Sequence, residues 1–128
     1  MKLLRYGPAG QEKPGLLDAT GAIRDLSGAV SDIAGEVLTP EGLARIRALD
    51  PNSLPRVPGS PRLGPCIGRI GKLICIGLNY SDHAAESNMP LPAEPIVFMK
   101  ATSCIVGPND KIILDRKSTR LNSSHVSE

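Results

Sequence analysis

At 128 residues and 13.5 kDa the chain is long enough for one ordinary domain, or for a small domain plus part of a second. Its 15 Lys and Arg against 13 Asp and Glu leave a formal charge of +2, too weak a field to argue for nucleic acid or an anionic membrane as partner. Aromatic residues make up 2% and Trp is absent, so a core must be built from Leu, Ile, Val and Ala, and a base-stacking surface is not expected.

The start, Met1-Lys2-Leu3-Leu4-Arg5-Tyr6-Gly7-Pro8, puts an arginine and a proline where a signal peptide needs continuous apolar sequence. No later run approaches the length of a bilayer span, so a cytoplasmic protein without a membrane partner is the expectation. Short apolar runs at Leu3-Leu4, Gly15-Leu16-Leu17 and Ala22-Ile23 are separated by Gly7-Pro8 and by Asp18-Ala19-Thr20-Gly21. This punctuation predicts a small antiparallel meander with a hairpin across 18–21. Thr39-Pro40-Glu41 then supplies an N-cap, a proline at the first helical position and an acid at the positive end of a helix dipole. With Leu43, Ile46 and Leu49 following at helical spacing, a short amphipathic helix ending at Asp50-Pro51 is expected.

Prolines recur at 51, 55, 58, 61 and 65 with Gly59 and Gly64 between them, which resists both helix and sheet interior and reads as a linker. Beyond it, Lys72-Leu73-Ile74-Cys75-Ile76-Gly77-Leu78 is a β-prone run of the kind expected for a strand buried on both faces. Ile96-Val97-Phe98-Met99 and Lys111-Ile112-Ile113-Leu114 look similar, with Gly107-Pro108-Asn109-Asp110 as a strong turn before the last. Between the first two runs Ser81 caps an expected short helix over 82–87. Cys66, Cys75 and Cys104 are an odd set without a Cys-x-x-Cys pair, and read as reduced thiols rather than disulfides or zinc ligands.

His83 and Glu86 stand three residues apart on that expected helix, so they share a face and the carboxylate can reach the imidazole. A carboxylate beside a histidine fixes its tautomer and stabilises the imidazolium, as a general base taking a proton from water requires. A solvated surface pair shows the same spacing, and the position just after a strand is what favours chemistry.

Three segments in order resemble the start of the catalytic domain of the fumarylacetoacetate hydrolase family. They are Ile74-Cys75-Ile76-Gly77-Leu78-Asn79-Tyr80-Ser81-Asp82-His83-Ala84-Ala85-Glu86, then Glu94-Pro95-Ile96-Val97-Phe98-Met99-Lys100-Ala101-Thr102-Ser103, then Val106-Gly107-Pro108-Asn109-Asp110. Residues 1–65 resemble, less diagnostically, the small amino-terminal domain of bacterial members. The resemblance implies a mixed, β-rich α/β fold: a small amino-terminal α+β domain over 1–50, a Pro/Gly-rich linker over 51–71, and the truncated start of the family's mixed β-sheet roll over 72–114.

It also implies a Mg or Mn ion that holds an oxo-acid substrate and acts as electron sink, His83 as the base that activates water, and Glu86 as the group that orients it. Lys100 matches the lysine of a Phe-x-Lys motif that faces the anionic substrate; its plain alternative is a lysine at a strand end with its head in water. Asn79 and Tyr80 match the loop that shapes the pocket, or simply launch the helix. Asp82 reads as first-turn helix electrostatics. Some members carry Arg where this chain has Leu78, so their substrates do not transfer.

The family's metal ligands are a Glu-x-Glu pair soon after the segment equivalent to Ile112-Ile113-Leu114 and an Asp farther on, and this sequence has neither. In their place, Asp115-Arg116-Lys117-Ser118-Thr119-Arg120-Leu121-Asn122-Ser123-Ser124-His125 resembles the conceptual translation of a sequencing-library adapter. Genuine sequence is therefore expected to end at about Leu114; residues 115–128, artefact or polar tail, are set aside from fold reasoning, and His125 with them. Asp18, Asp25, Asp32, Glu36 and Asp50 fall in expected turns and helix ends and form no substitute metal site.

The expectation is thus an amino-terminal fragment of a metal-dependent enzyme that hydrolyses a carbon–carbon bond in a 2,4-dioxo acid. No metal should bind the fragment tightly, and it should be inactive alone. Ureidoglycolate lyase, oxaloacetate decarboxylase and dienedioate isomerase activities use related sites and stay open, as does a non-catalytic folding or assembly module. The implied partners are a small oxo-acid substrate and, for the parent, a second copy in a homodimer.

Overall fold

The computed structural model describes residues 1–78 and 93–114. Asn79, Tyr80, His83 and Glu86, the expected helix over 82–87, and residues 115–128 lie outside the described residues.

The opening meander is present. Strands β1 (Lys2–Tyr6), β2 (Lys13–Leu17) and β3 (Ile23–Asp25) form an antiparallel sheet in the order β1-β2-β3, with Leu4 opposite Gly15 and Leu17 opposite Ile23. Pro14 is tolerated in the middle strand because β3 pairs only with the residues after it. The Pro14 carbonyl instead accepts from Leu26 N at 3.0 Å. Gly15 is required by packing: a Cβ there would lie 3.1 Å from both Leu4 Cδ1 and Tyr6 Cδ1.

The hairpin across 18–21 closes on Asp18, whose Oδ1 accepts from Thr20 N at 2.8 Å and Ala22 N at 3.0 Å. Its Oδ2 accepts from Arg24 Nε at 2.9 Å. The Thr20 hydroxyl and then Arg24 hold the Asp18 carboxyl well below the usual carboxylate range. Helix α1 (Pro40–Arg47) begins as expected, with Thr39 Oγ1 accepting from Gly42 N at 3.1 Å and Pro40 in its first turn. Ile46 carries the helix into a core with Leu16, Leu26 and Ile33, flanked by Leu3, Val30, Val37, Leu38, Leu49 and Leu54.

The proline-rich stretch runs along the sheet and is hydrogen-bonded to it. Val57 N donates to Ile23 O at 2.9 Å and Asp25 N to Pro55 O at 2.8 Å, which seats the segment on the outer edge of β3. Farther on, Gly7 N donates to Arg62 O at 2.8 Å and Gly64 N to Arg5 O at 2.9 Å, on the outer edge of β1. One strap thus covers both open edges of the sheet. Prolines allow this because they hold the chain extended while their carbonyls, and the N–H groups between them, stay available for pairing.

Strands β4 (Leu73–Gly77) and β5 (Ile96–Lys100) form a separate antiparallel pair with Leu73 opposite Lys100 and Gly77 opposite Ile96. Burial on both faces is not observed: Ile74 is 58% and Met99 66% exposed. Among the described residues each strand has one neighbour, and Ile74, Ile76, Val97 and Met99 leave one face of the pair exposed. Lys111-Ile112-Ile113-Leu114 forms no strand, and Ile113 is 91% exposed. The turn before it forms as expected, Asp110 N donating to Gly107 O at 3.2 Å. All three cysteines are free; Cys66 and Cys104 are exposed. No helix among the described residues is long and apolar enough to cross a membrane.

Candidate functional site

The segment that carries His83 and Glu86 is fixed at its roots by the β4–β5 pair. Gly77 and Ile96 face each other across the last rung of the ladder, so residues 79–92 leave and return at one end of the hairpin. Gly77 fits the rung because a Cβ there would press to 3.3 Å from Phe98 Cε1. Leu78 follows with φ of 50°, a left-handed conformation that a leucine adopts only at a cost. That single residue ends the strand and re-aims the chain. A left-handed non-glycine residue where a strand meets a candidate catalytic segment had no signal in the local residue pattern.

Lys100 sits at the other end of β5, opposite Leu73, and is exposed. Four residue steps along the strand separate it from Ile96, about 13 Å at the usual rise. The described residues therefore do not bring Lys100 to the root of the 79–92 segment. Asn79, Tyr80, His83 and Glu86 lie outside the described residues.

A charged network that the sequence did not announce joins β1, the strap and the turn at 107–110. Arg5 pairs with Asp32 through Nε–Oδ1 at 2.7 Å and Nη2–Oδ2 at 3.2 Å, and stands 3.7 Å from Glu12. Arg62 stands 3.6 Å from Glu12 and grips Asp110 through Nε–Oδ1 at 2.9 Å and Nη2–Oδ2 at 2.5 Å. Hydrogen bonds from Arg62, then from Gly107 N, hold the Asp110 carboxyl below its ordinary range. The partners are 48 residues apart, so local sequence carries no signal for the pair.

Among the described residues no three His, Cys, Asp or Glu side chains stand together as a metal cage. Glu12 and Asp32 turn onto Arg5, Asp110 onto Arg62, and Asp18 onto Arg24. These described residues do not fit the divalent ion that the resemblance implies. A cleft of about 600 Å³ lies between the β2–β3 turn and the strap, lined by Ile23, Arg56, Val57, Ser60 and Leu63 among others. It holds no acid–base pair, so its volume does not mark it as the reaction site.

Residues 72–123 match the family model described as Fumarylacetoacetate (FAA) hydrolase C-terminal, a match that runs past Leu114. A provisionally named hydrolase of Burkholderia multivorans is 65% identical over 120 residues, covering 94% of this chain and 43% of that protein. A second, from Burkholderia cenocepacia, is 64% identical over the same shares. The chain thus spans less than half the length of these curated relatives. Among solved structures, the fumarylacetoacetate hydrolase of psychrophilic Exiguobacterium antarcticum superposes with a TM-score of 0.57 at 30% identity, over 88% of this chain and 39% of that one. A provisionally named HpcE protein of Mycobacterium smegmatis shares the fold with a TM-score of 0.61 at 21% identity, over 89% of this chain and 41% of that one.

Proposed function

We propose, because the chain belongs to the fumarylacetoacetate hydrolase family, that it is the amino-terminal part of a hydrolase cleaving a carbon–carbon bond in a 2,4-dioxo acid. The observation that carries the reading is the Gly77–Ile96 rung, which joins both roots of the His83 and Glu86 segment within the matched region. In this reading His83 takes a proton from water and Glu86 orients that water. The resulting hydroxide adds to the distal carbonyl carbon. The bond to the adjacent methylene then breaks, its electron pair passing into the enolate of the departing 2-oxo acid, and the imidazolium returns its proton to that carbon. Water is consumed, and a carboxylic acid and a 2-oxo acid are released.

Dependence on Mg or Mn is part of the same proposal: chelation should abolish turnover by the longer protein, while Mn should bind this chain only weakly. A cytoplasmic location and a homodimeric parent complete it.

The test is turnover of an acylpyruvate by the full-length protein that carries this chain, read as loss of the enol absorbance. His83→Asn should lower kcat by about 10² to 10⁴ with a smaller change in KM, and Glu86→Gln should lower it less. An unchanged kcat in His83→Asn would remove His83 from the reaction. Decarboxylation or isomerisation products in place of two acids would reassign the reaction within the family.

A further inference from the structure

The turn that follows β5 is fastened to the amino-terminal sheet by two contacts of different physical kind. One is electrostatic. Arg62, on the strap, meets Asp110 with two parallel N–H to oxygen bonds, the fork-to-fork geometry in which a guanidinium binds a carboxylate most strongly. Neither partner is merely a surface charge, because each is also bonded to backbone. Arg62 Nη1 donates to Gly7 O at 3.1 Å, and Asp110 Oδ2 accepts from Gly107 N at 2.7 Å.

The other contact is steric. A Cβ placed on Gly107 would overlap the carbonyl oxygen of Leu63, the residue next to Arg62, so the turn lies flat on the strap where only glycine fits. Gly107 is buried, although the residues around it are largely exposed. On its other side the strap is hydrogen-bonded to the end of β1 and the residue after it, at Arg62 itself and at Gly64, through Gly7 N to Arg62 O and Gly64 N to Arg5 O. Arg62 therefore stands on a rigid base.

We propose that Arg62 and Asp110 form a latch by which the strap holds the turn at 107–110, making Arg62 a positioning residue for the chain that leaves through Lys111-Ile112-Ile113-Leu114. The inference rests on the proposed function only for its consequence, that the small amino-terminal sheet sets the course of the catalytic part; the latch itself is a statement about this chain. An exposed ion pair ordinarily contributes little. Here the pair is bidentate, seated on a glycine, and is the charged link between the turn and the sheet. Its loss should open the turn locally and leave the core intact.

Amide hydrogen exchange of the full 128-residue chain, read residue by residue, tests this. Arg62→Gln should speed exchange at Gly107 and Asp110 by about fivefold, with Leu26 and Val30 unchanged; Arg62→Lys, which keeps the charge but not the fork, should fall between. Gly107→Ala breaks the seat without touching a charge and should speed the same two amides. Unchanged exchange at Gly107 and Asp110 in Arg62→Gln would overturn the latch. So would equal acceleration at Leu26, Val30 and Gly107, including outright unfolding, because that makes the pair a global stabiliser. No turnover enters the readout, so a failure of the latch and a failure of the proposed reaction are separable.

Discussion

Replacing Gly42 with alanine should destabilise the chain, although the same change inside an exposed helix ordinarily stabilises by about 1 kcal/mol. Gly42 lies in the first turn of α1, and a Cβ built on it would overlap the carbonyl oxygens of Glu36 and Val37. Those are backbone atoms of the 3-10 turn Gly35–Leu38, held by Thr39 N to Glu36 O at 3.2 Å and Val37 N to Ala34 O at 3.3 Å. They cannot swing aside as a side-chain tip would, so either the helix or the turn must move. Moving the helix drags Ile46, which is 2% exposed, out of register with Leu26 and Ile33. Overpacking of this kind costs about 1–3 kcal/mol, and backbone contacts belong to the upper part of that range. Offsetting the propensity gain leaves a net loss of about 1–2 kcal/mol. Urea unfolding followed by far-UV circular dichroism measures it, with Gly28→Ala as control, since nothing lies within 4 Å of a Cβ at Gly28. A higher midpoint in Gly42→Ala, with the control unchanged, would show that the helix does not rest on the turn as described.

Three further outcomes follow from other parts of the chain. The Asp18 carboxyl is held low in the folded state, so its stabilisation is complete above its unfolded pKa, near about 4, and is lost as pH falls through the lower folded value. Melting temperatures of Asp18→Asn should accordingly fall less steeply than wild type below about pH 4, and parallel curves would refute that role. Ile74, Ile76, Val97 and Met99 share one uncovered face of the hairpin, so Val97→Lys with Met99→Lys should reduce self-association of the 128-residue chain in sedimentation velocity; an unchanged distribution would move the association elsewhere. In the full-length protein Lys100→Met should raise KM several-fold with little change in kcat if Lys100 binds the substrate anion, whereas identical constants would leave it a surface lysine.

The meander, its turn and the capped helix were legible because their signals are local. Asp18 to Gly21 contains the residues that close its own turn, and Thr39-Pro40 names its own helix start. The course of the strap was not legible because proline density reports only what the backbone cannot do. That Val57 and Gly64 would find Ile23 and Arg5 as acceptors depends on the finished sheet. Arg62 and Asp110 escaped notice for the same reason: an arginine in a proline-rich run and an aspartate in a turn are each ordinary, and only the fold brings them together. For the candidate site the order of motifs carried the family, while the left-handed Leu78 and the distance between Lys100 and the Gly77–Ile96 rung needed coordinates.

The two halves of the described chain solve the problem of open sheet edges in opposite ways. In the first half the strap pairs Arg56 with Arg24 and Leu63 with Tyr6, so β1 and β3 both lose their exposed outer edges, and four buried side chains supply the core. Burying a side chain of that size fully is worth about 1.5–3 kcal/mol, and the first half collects that term several times over. The hairpin collects little of it, since Ile74, Ile76, Val97 and Met99 each remain close to half exposed or more. A two-stranded ribbon without a covered face is marginal in water. Its persistence here must draw on contacts outside its own ladder, and the described chain supplies one close by, the seat of Gly107 against Leu63 with the grip of Arg62 on Asp110. The amino-terminal half is thus self-sufficient, and the half that carries the family motifs is built to lean on something else.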